Sequence, residues 1–111
     1  MLEGIPEGDR CYVSVDIDVL DMSLIPGCVS AEPNGMSYAE LRDSLFAVAE
    51  RTRVIGMDLV EVNPLLDVPT GLTSYLAAHT VVESLGRICD QPWWRETHAE
   101  RHAAVQADAE E

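Results

Sequence analysis

The stretch that decides the fold is Cys11-Tyr12-Val13-Ser14-Val15-Asp16-Ile17-Asp18, in which an apolar run ends in two aspartates. Its β-branched and aromatic residues predict a strand over residues 11–18. Apolar residues occur at both parities, which predicts a strand covered on both faces, as in a parallel sheet. Residues two apart on a strand share a face, so we expect Asp16 and Asp18 to lie side by side.

The two neighbouring carboxylates suggest a metal site. Like charges held this close repel each other, and the pKa of one rises unless a cation lies between them. Ligands that offer only oxygen favour a hard divalent ion such as Mn²⁺ or Mg²⁺. Asp16 and Asp18 are therefore predicted metal ligands, with a solvated or capping strand end as the alternative. Asp21 lies past the strand and is predicted to brace the following loop as a hydrogen-bond acceptor.

Outward from this strand the chain predicts a strand–helix–strand unit. Residues 19–35 are rich in Pro, Gly, Asn and Asp and are expected to form a long loop at the carboxyl end of the strand, where open α/β sheets bind ligands. Ser37 and Glu40 form a capping box that opens a helix over residues 38–51. Residues 54–62 are apolar and end in acid, which predicts a second, parallel strand reached by this crossover helix.

Acidic residues also mark the second strand. Glu61 ends it and is expected at the same sheet edge as the aspartates, where a carboxylate can bind a planar guanidinium with two hydrogen bonds. A surface acid without a ligand is the alternative for Glu61. Asp58 is expected to point to the opposite face and to brace a neighbouring loop. A second helix is predicted from Gly71 to about Cys89.

Composition narrows the classes of partner. The chain has 111 residues, within the range of one domain, and a formal net charge of −13 from seven basic and 20 acidic residues. Nucleic acids and anionic membranes need a basic surface, so neither is an expected partner. The sequence contains neither a membrane-length apolar run nor a signal peptide, which predicts a soluble, cytoplasmic protein. Residues 92–111 form a polar, acidic tail that is either helical or disordered.

The three histidines give weaker signals. His79 falls in the middle of the second predicted helix and is expected to be a partly buried, hydrogen-bonded core residue. His98 and His102 are spaced like ligands on one helix face, but no glutamate adjoins the first, so they are expected to be solvated.

Three segments, in order, resemble a known family. Residues 14–18, followed by Pro26-Gly27 and Gly35, resemble the C-terminal signature of the ureohydrolases, which include arginase and agmatinase. Residues 57–64, Met-Asp-Leu-Val-Glu-Val-Asn-Pro, are similar to a later family segment, and residues 70–83 to its final helix. The resemblance covers roughly residues 11–90. It implies that residues 1–91 form the C-terminal part of an arginase-like α/β domain, a three-layer α/β/α sandwich with a mostly parallel sheet.

The resemblance also implies a chemistry. Family members use a binuclear Mn²⁺ site to hydrolyse a guanidino or formimino C–N bond, and guanidino substrates yield urea and an amine. By this resemblance Asp16 bridges both metals, Asp18 binds one, and Glu61 holds a small guanidino substrate. Glu32 matches a loop position only. Met22 replaces a usual proline and residues 28–31 replace a Gly/Thr-rich turn, so the substrate stays open.

Two family metal motifs, Gly-Gly-Asp-His and Asp-Ala-His-x-Asp, have no counterpart in this sequence. The chain is therefore expected to correspond to the C-terminal third of a longer enzyme and to be inactive alone, because two aspartates cannot hold a binuclear cluster. Exposed sheet edges make a homo-oligomer conceivable. Two alternatives remain: a truncated, non-catalytic relative that serves as a binding or assembly piece, and an unrelated acidic module that binds one divalent ion.

Overall fold

The computed structural model describes residues 2–68 and 70–109. Its elements form a strand–helix–strand unit followed by two helices, with a short 3-10 turn directly after the first strand. They are β1 (Arg10–Asp16), the 3-10 turn (Ile17–Val19), α1 (Tyr38–Arg51), β2 (Arg53–Val60), α2 (Leu72–Cys89) and α3 (Pro92–Ala109). The first helix has the bounds predicted from sequence, and its capping box between Ser37 and Glu40 is formed.

The two strands pair in parallel, as predicted. The register runs from Arg10 opposite Arg53 to Asp16 opposite Val60, with an irregularity between Cys11 and Tyr12. Helix α1 is the crossover that a parallel pair requires. The carboxyl ends of both strands therefore lie at one edge of the sheet, where Asp16 ends β1 and Glu61 follows β2.

The helices cover one face of this sheet. Val15 is buried in a cluster with Leu41 of α1 and Ala77 of α2. The alternate residues of β1 are exposed, and Tyr12 keeps 61% of its surface accessible. The expectation that β1 is covered on both faces is therefore wrong for the described residues, because α1 and α2 pack on the same side. The α/β class itself is confirmed.

The long loop after β1 belongs to the core. Ile17, Leu20 and Ile25 are fully buried, and they join the cluster that contains Val15. A backbone bridge between Leu20 and Met36 returns the loop to the point where it started. These apolar anchors hold the segment between β1 and α1 against the sheet, so the loop has a defined shape next to the strand ends.

Helix α3 packs against the rest of the chain through its first turn. Trp93 and Trp94 contact a second apolar cluster of Ala49, Val54 and Ile88. The sequence left helix and disorder open for residues 92–111, and the structure has a helix from Pro92 to Ala109. Across residues 2–68 and 70–109, each helix is too short or too polar to cross a membrane.

Candidate functional site

The two aspartates are adjacent, but for a different reason from the one the sequence suggested. Strand β1 ends at Asp16, and Asp18 lies in the 3-10 turn that follows. The Asp16 side chain caps this turn by accepting a hydrogen bond of 3.1 Å from the Asp18 backbone N–H. The prediction that both lie on one strand face is wrong, because the chain turns after Asp16 and folds the second carboxyl back toward the first.

Burial and the neighbouring carboxyl both act on the charge of Asp18. The pKa of Asp18 is raised, first by burial and then by the charge of Asp16 and a hydrogen bond to it, while a bond from Ser30 opposes the rise. A bound cation would remove the repulsion, and the donors are the carboxylate oxygens that Mn²⁺ accepts. Over the described ranges, no group of three or more His, Cys, Asp and Glu residues is placed to hold a metal. The pair therefore fits a hard metal ion as part of a larger ligand set.

Glu61 is the first residue after β2. Val60, which precedes it, pairs with Asp16, so Glu61 follows its strand at the sheet edge where the aspartates lie. Its side chain is exposed and its backbone has a φ of 70°. Only a few per cent of residues other than glycine adopt positive φ, and such strain concentrates at functional sites. The structure thus brings Glu61 to the predicted edge.

Asp58 differs from its predicted role. It accepts hydrogen bonds from the Tyr12 hydroxyl (2.9 Å) and the Ser14 hydroxyl (2.6 Å). Both donors lie on the neighbouring strand, on the sheet face opposite the helices. The hydrogen bond to Asp58 is the main cause of a raised pKa of Tyr12. The expectation that Asp58 braces a loop is wrong: it ties β2 to β1.

Asp21 braces the loop after β1, as predicted. Its carboxylate accepts hydrogen bonds from the backbone N–H groups of Ser23 (3.0 Å) and Asn34 (2.8 Å). The Ser23 hydroxyl also donates to it. These bonds, that of the Ser23 hydroxyl first, lower the pKa of Asp21. The two ends of the loop are thereby joined through one side chain.

Asp67 is the important residue that the sequence interpretation missed. It is 3% exposed and accepts hydrogen bonds from the backbone N–H groups of Thr73 (2.9 Å) and Ser74 (2.8 Å) in the first turn of α2. Burial pushes its pKa upward, but the hydrogen bonds from Ser74 and Thr73 outweigh this and lower the pKa to about 2. A cap normally sits directly before its helix, whereas Asp67 precedes Leu72 by five residues, so the usual pattern does not find it.

The Pro26-Gly27 turn is fastened to the start of α2. The Gly27 N–H donates to the Thr73 hydroxyl (2.8 Å), and the Gly27 carbonyl accepts from the Asn63 N–H (2.8 Å). A side chain at Gly27 would have its Cβ 2.6 Å from that of Asp67. The loops after β1 and β2 are therefore packed as one unit around this glycine.

The histidines do not join this site. His79 is exposed rather than in the core: it stacks on Tyr75 and lies 3.6 Å from the Glu83 carboxylate. The prediction of a core histidine is wrong, because His79 lies on the exposed side of α2, whereas Ala77 and Thr80 of the same turn are buried. His98 is exposed as expected and lies in α3.

Comparison with known proteins identifies the family. The model of the arginase family matches residues 1–86. This chain belongs to the arginase family. A formimidoylglutamase from Halalkalibacterium halodurans is 43% identical over 81 residues, which is 73% of this chain and 25% of that protein. An agmatinase from the same organism is 44% identical over 79 residues, 70% of this chain and 27% of that protein.

Solved structures agree with this family assignment. The formimidoylglutamase from Bacillus subtilis superposes with a TM-score of 0.68 at 38% identity and covers 76% of this chain and 26% of its own. A formiminoglutamase from Trypanosoma cruzi, solved with Mn²⁺, gives 0.62 at 26% identity, covering 77% of this chain and 29% of its own. The arginase-family chain thus spans about a quarter of the length of its curated relatives.

Proposed function

We propose that this chain contributes the carboxyl-terminal edge of a ureohydrolase active site, which hydrolyses a planar C–N group. The observation that carries the proposal is the adjacent pair of Asp16 and Asp18 at the end of β1, with Glu61 following the neighbouring strand. Membership of the arginase family supports it independently. The loop over residues 19–35 adjoins both strand ends, because Ser30 hydrogen-bonds to Asp18 and the Asn63 N–H donates to the Gly27 carbonyl.

Mn²⁺ is the proposed metal, with Asp16 and Asp18 as its ligands in this chain. Their donors are oxygens, their mutual repulsion favours a cation, and the T. cruzi relative was solved with Mn²⁺. Metal ions in such sites lower the pKa of bound water and polarise the reacting carbon. The part of the two aspartates is to fix the cation at the strand end. The turn at residues 17–19 sets the spacing of their carboxylates.

Glu61 is proposed to hold the substrate. Guanidino and formimino groups are planar and cationic, and a carboxylate binds such a group with two parallel hydrogen bonds. The formimidoylglutamase and the agmatinase from H. halodurans are similar to this chain to nearly the same degree, at 43% and 44% identity. We therefore propose the shared planar C–N cation as the substrate class and leave the attached group open.

The chain by itself is proposed to have no, or negligible, hydrolase activity. Two aspartates supply too few ligands for two metal ions, and the described residues add no third ligand to the pair. A non-catalytic role as a binding or assembly piece is the alternative. It is supported by the sheet face opposite the helices, where Tyr12 (61%) and Ile55 (55%) are exposed.

Calorimetric titration with Mn²⁺ tests the metal proposal. The wild-type chain is expected to bind Mn²⁺ weakly, and Asp16→Asn and Asp18→Asn to bind at least about tenfold more weakly, because each loses one anionic ligand. Asp43→Asn is the matched control, since Asp43 is an exposed acid that pairs with Arg42. Equal affinity in the wild type and in Asp16→Asn would contradict the assignment.

Activity is tested separately, by measuring the release of urea from agmatine and of glutamate from formimidoylglutamate. The 111-residue chain is expected to turn over neither substrate in the presence of Mn²⁺. Mn²⁺-dependent turnover that disappears in Asp16→Asn would refute the proposed inactivity while supporting the site. Turnover that persists in Asp16→Asn would overturn both the proposed inactivity and the proposed metal site.

A further inference from the structure

A groove lies at the opposite end of the sheet from the carboxylates. Its volume is about 380 Å³, within the range of small-molecule sites. One wall is formed by the first residues of the strands and the other by α3. The lining residues are Arg10, Val54, Ile55, Trp93, Trp94, Thr97, His98 and Arg101.

The groove is separate from the proposed active site and lies partly outside the segment that the family model matches. Arg10 begins β1 and Asp16 ends it, which places them roughly 20 Å apart at the usual rise of a strand. The family model ends at residue 86, whereas α3 starts at Pro92. Five of the eight lining residues therefore belong to a helix that the family model does not include.

The charge of the groove is opposite to that of the chain. All seven basic residues are arginines, against 20 acidic residues. Arg42, Arg87 and Arg95 each pair with a carboxylate. The other four have no carboxylate within 4.0 Å among the residues that the structure describes, and two of them, Arg10 and Arg101, line the groove. With nearly three acids available for each arginine, two arginines left facing one groove indicate a site for an anion.

The aromatic residues of the groove add flat surfaces. Trp93 and Trp94 meet edge to face, with ring centroids 5.7 Å apart and an interplanar angle of 85°. Trp94 also stacks against His98, at 6.4 Å and 11°. The Trp93 Nε1–H is buried without a hydrogen-bond partner within residues 2–68 and 70–109. An indole face suits a planar ring.

We propose that this groove binds a small planar organic anion. Its ring stacks on the indoles, and its carboxylate or phosphate accepts hydrogen bonds from Arg10 and Arg101. Neutral rings lack the group that the guanidinium groups bind, and inorganic anions lack the ring. The proposal stands apart from the hydrolase function, because it uses none of the three carboxylates at the other end of the sheet.

Intrinsic fluorescence tests the proposal directly, because both tryptophans of the chain line the groove. The wild-type chain is titrated with benzoate, with AMP, and with neutral benzamide. Benzoate or AMP is expected to change the fluorescence saturably, and binding by one or both identifies the accepted anionic group as carboxylate, phosphate or either. Benzamide is expected to bind at least about tenfold more weakly.

Arginine variants complete the test. Arg101→Gln and Arg10→Gln are expected to weaken binding by about tenfold each, because each removes one charged donor. Arg95→Gln is the control on the same helix, since Arg95 pairs with Asp90 and does not line the groove. Circular dichroism verifies that each variant is folded. If one arginine variant does not fold, the affinity of the other is used. Absence of saturable binding by both anions, or unchanged affinity in a folded arginine variant, would overturn the proposal.

Discussion

Two pairs of aspartates in this chain differ in what surrounds them. Asp16 and Asp18 lie at the end of β1, where their carboxyls crowd each other and the pKa of Asp18 is raised. Asp21 and Asp67 lie at the bases of the loops after β1 and β2, where backbone N–H groups converge on them and their pKa values are lowered. Burial and the neighbouring carboxylate raise the pKa of Asp18, whereas several hydrogen-bond donors lower the pKa values of Asp21 and Asp67.

This difference separates structural carboxylates from those suited to binding. A carboxylate that accepts several N–H groups is satisfied as an anion and needs no ligand. A carboxylate that faces another carboxylate gains from any cation that enters, so its environment favours binding over stability. The loop aspartates therefore stabilise the loops next to the site, and the strand-end aspartates are the ones suited to binding a cation.

The largest expected effect comes from Asp67→Asn. The N–H groups of Thr73 and Ser74 donate to different oxygens of Asp67, and asparagine replaces one of these oxygens with an NH2 group, so one N–H in the first turn of α2 loses its acceptor. We expect the melting temperature at pH 7 to fall by roughly 5–10 °C, measured by circular dichroism. Asp43→Asn, an exposed acid in a surface ion pair, is the control and is expected to melt like the wild type.

The loss of stability in Asp67→Asn is expected to depend on pH and to shrink as the pH falls. The pKa of Asp67 is lowered to about 2 in the folded chain, whereas an unfolded aspartate titrates near 4. Its stabilising effect is complete above the unfolded pKa and is lost as the pH falls from about 4 to about 2. The gap in stability between wild type and Asp67→Asn should therefore close over that range. A constant gap between pH 6 and pH 2 would show that the charge of Asp67 is not responsible.

A smaller effect is expected from Gly35→Ala, which tests the loop that Asp21 braces. A Cβ at Gly35 would lie 2.5 Å from the backbone nitrogen of Asp21 and from the carbonyl carbon of Leu20. Backbone atoms cannot move aside as a flexible side chain can, so we expect a loss of about 1 kcal/mol in the free energy of unfolding, measured with urea. Gly86→Ala is the control: its Cβ meets nothing within 4 Å inside α2, and it should stabilise by about 0.5–1 kcal/mol. Equal effects in both glycine variants would mean that the loop is not packed as described.

The elements that could be predicted from the sequence are those with strong local signals. The capping box at Ser37 fixed the start of α1, and the two apolar runs ending in acid predicted parallel strands joined by a crossover. Family membership could be inferred as well, because three motifs occur in the right order. Each of these signals lies within a few residues of the feature that it predicts.

Features that depend on contacts between distant residues could not be predicted. Asp67 caps α2 from five residues before it, and nothing local distinguishes it from other loop acids. The 3-10 turn after Asp16 replaced two residues of predicted strand, because Ile17 turns into the core instead of continuing the strand. The position of His79 in the middle of α2 predicts a core residue, but the sequence does not show which side of that helix packs against the sheet.

The smallest expected effect, and the one that separates binding from stability, comes from Asp16→Asn. Asp16 is exposed, and an asparagine oxygen can still accept the hydrogen bond from the Asp18 N–H that caps the turn. We therefore expect the free energy of unfolding to change by less than about 0.5 kcal/mol, measured with urea in the absence of metal. When the urea experiment is repeated with excess Mn²⁺, the metal should stabilise the wild type but not this variant. Ligands that bind only the folded state stabilise it by mass action. Stabilisation of both chains by Mn²⁺ would place the metal away from Asp16, and strong destabilisation without metal would make Asp16 a structural residue like Asp67.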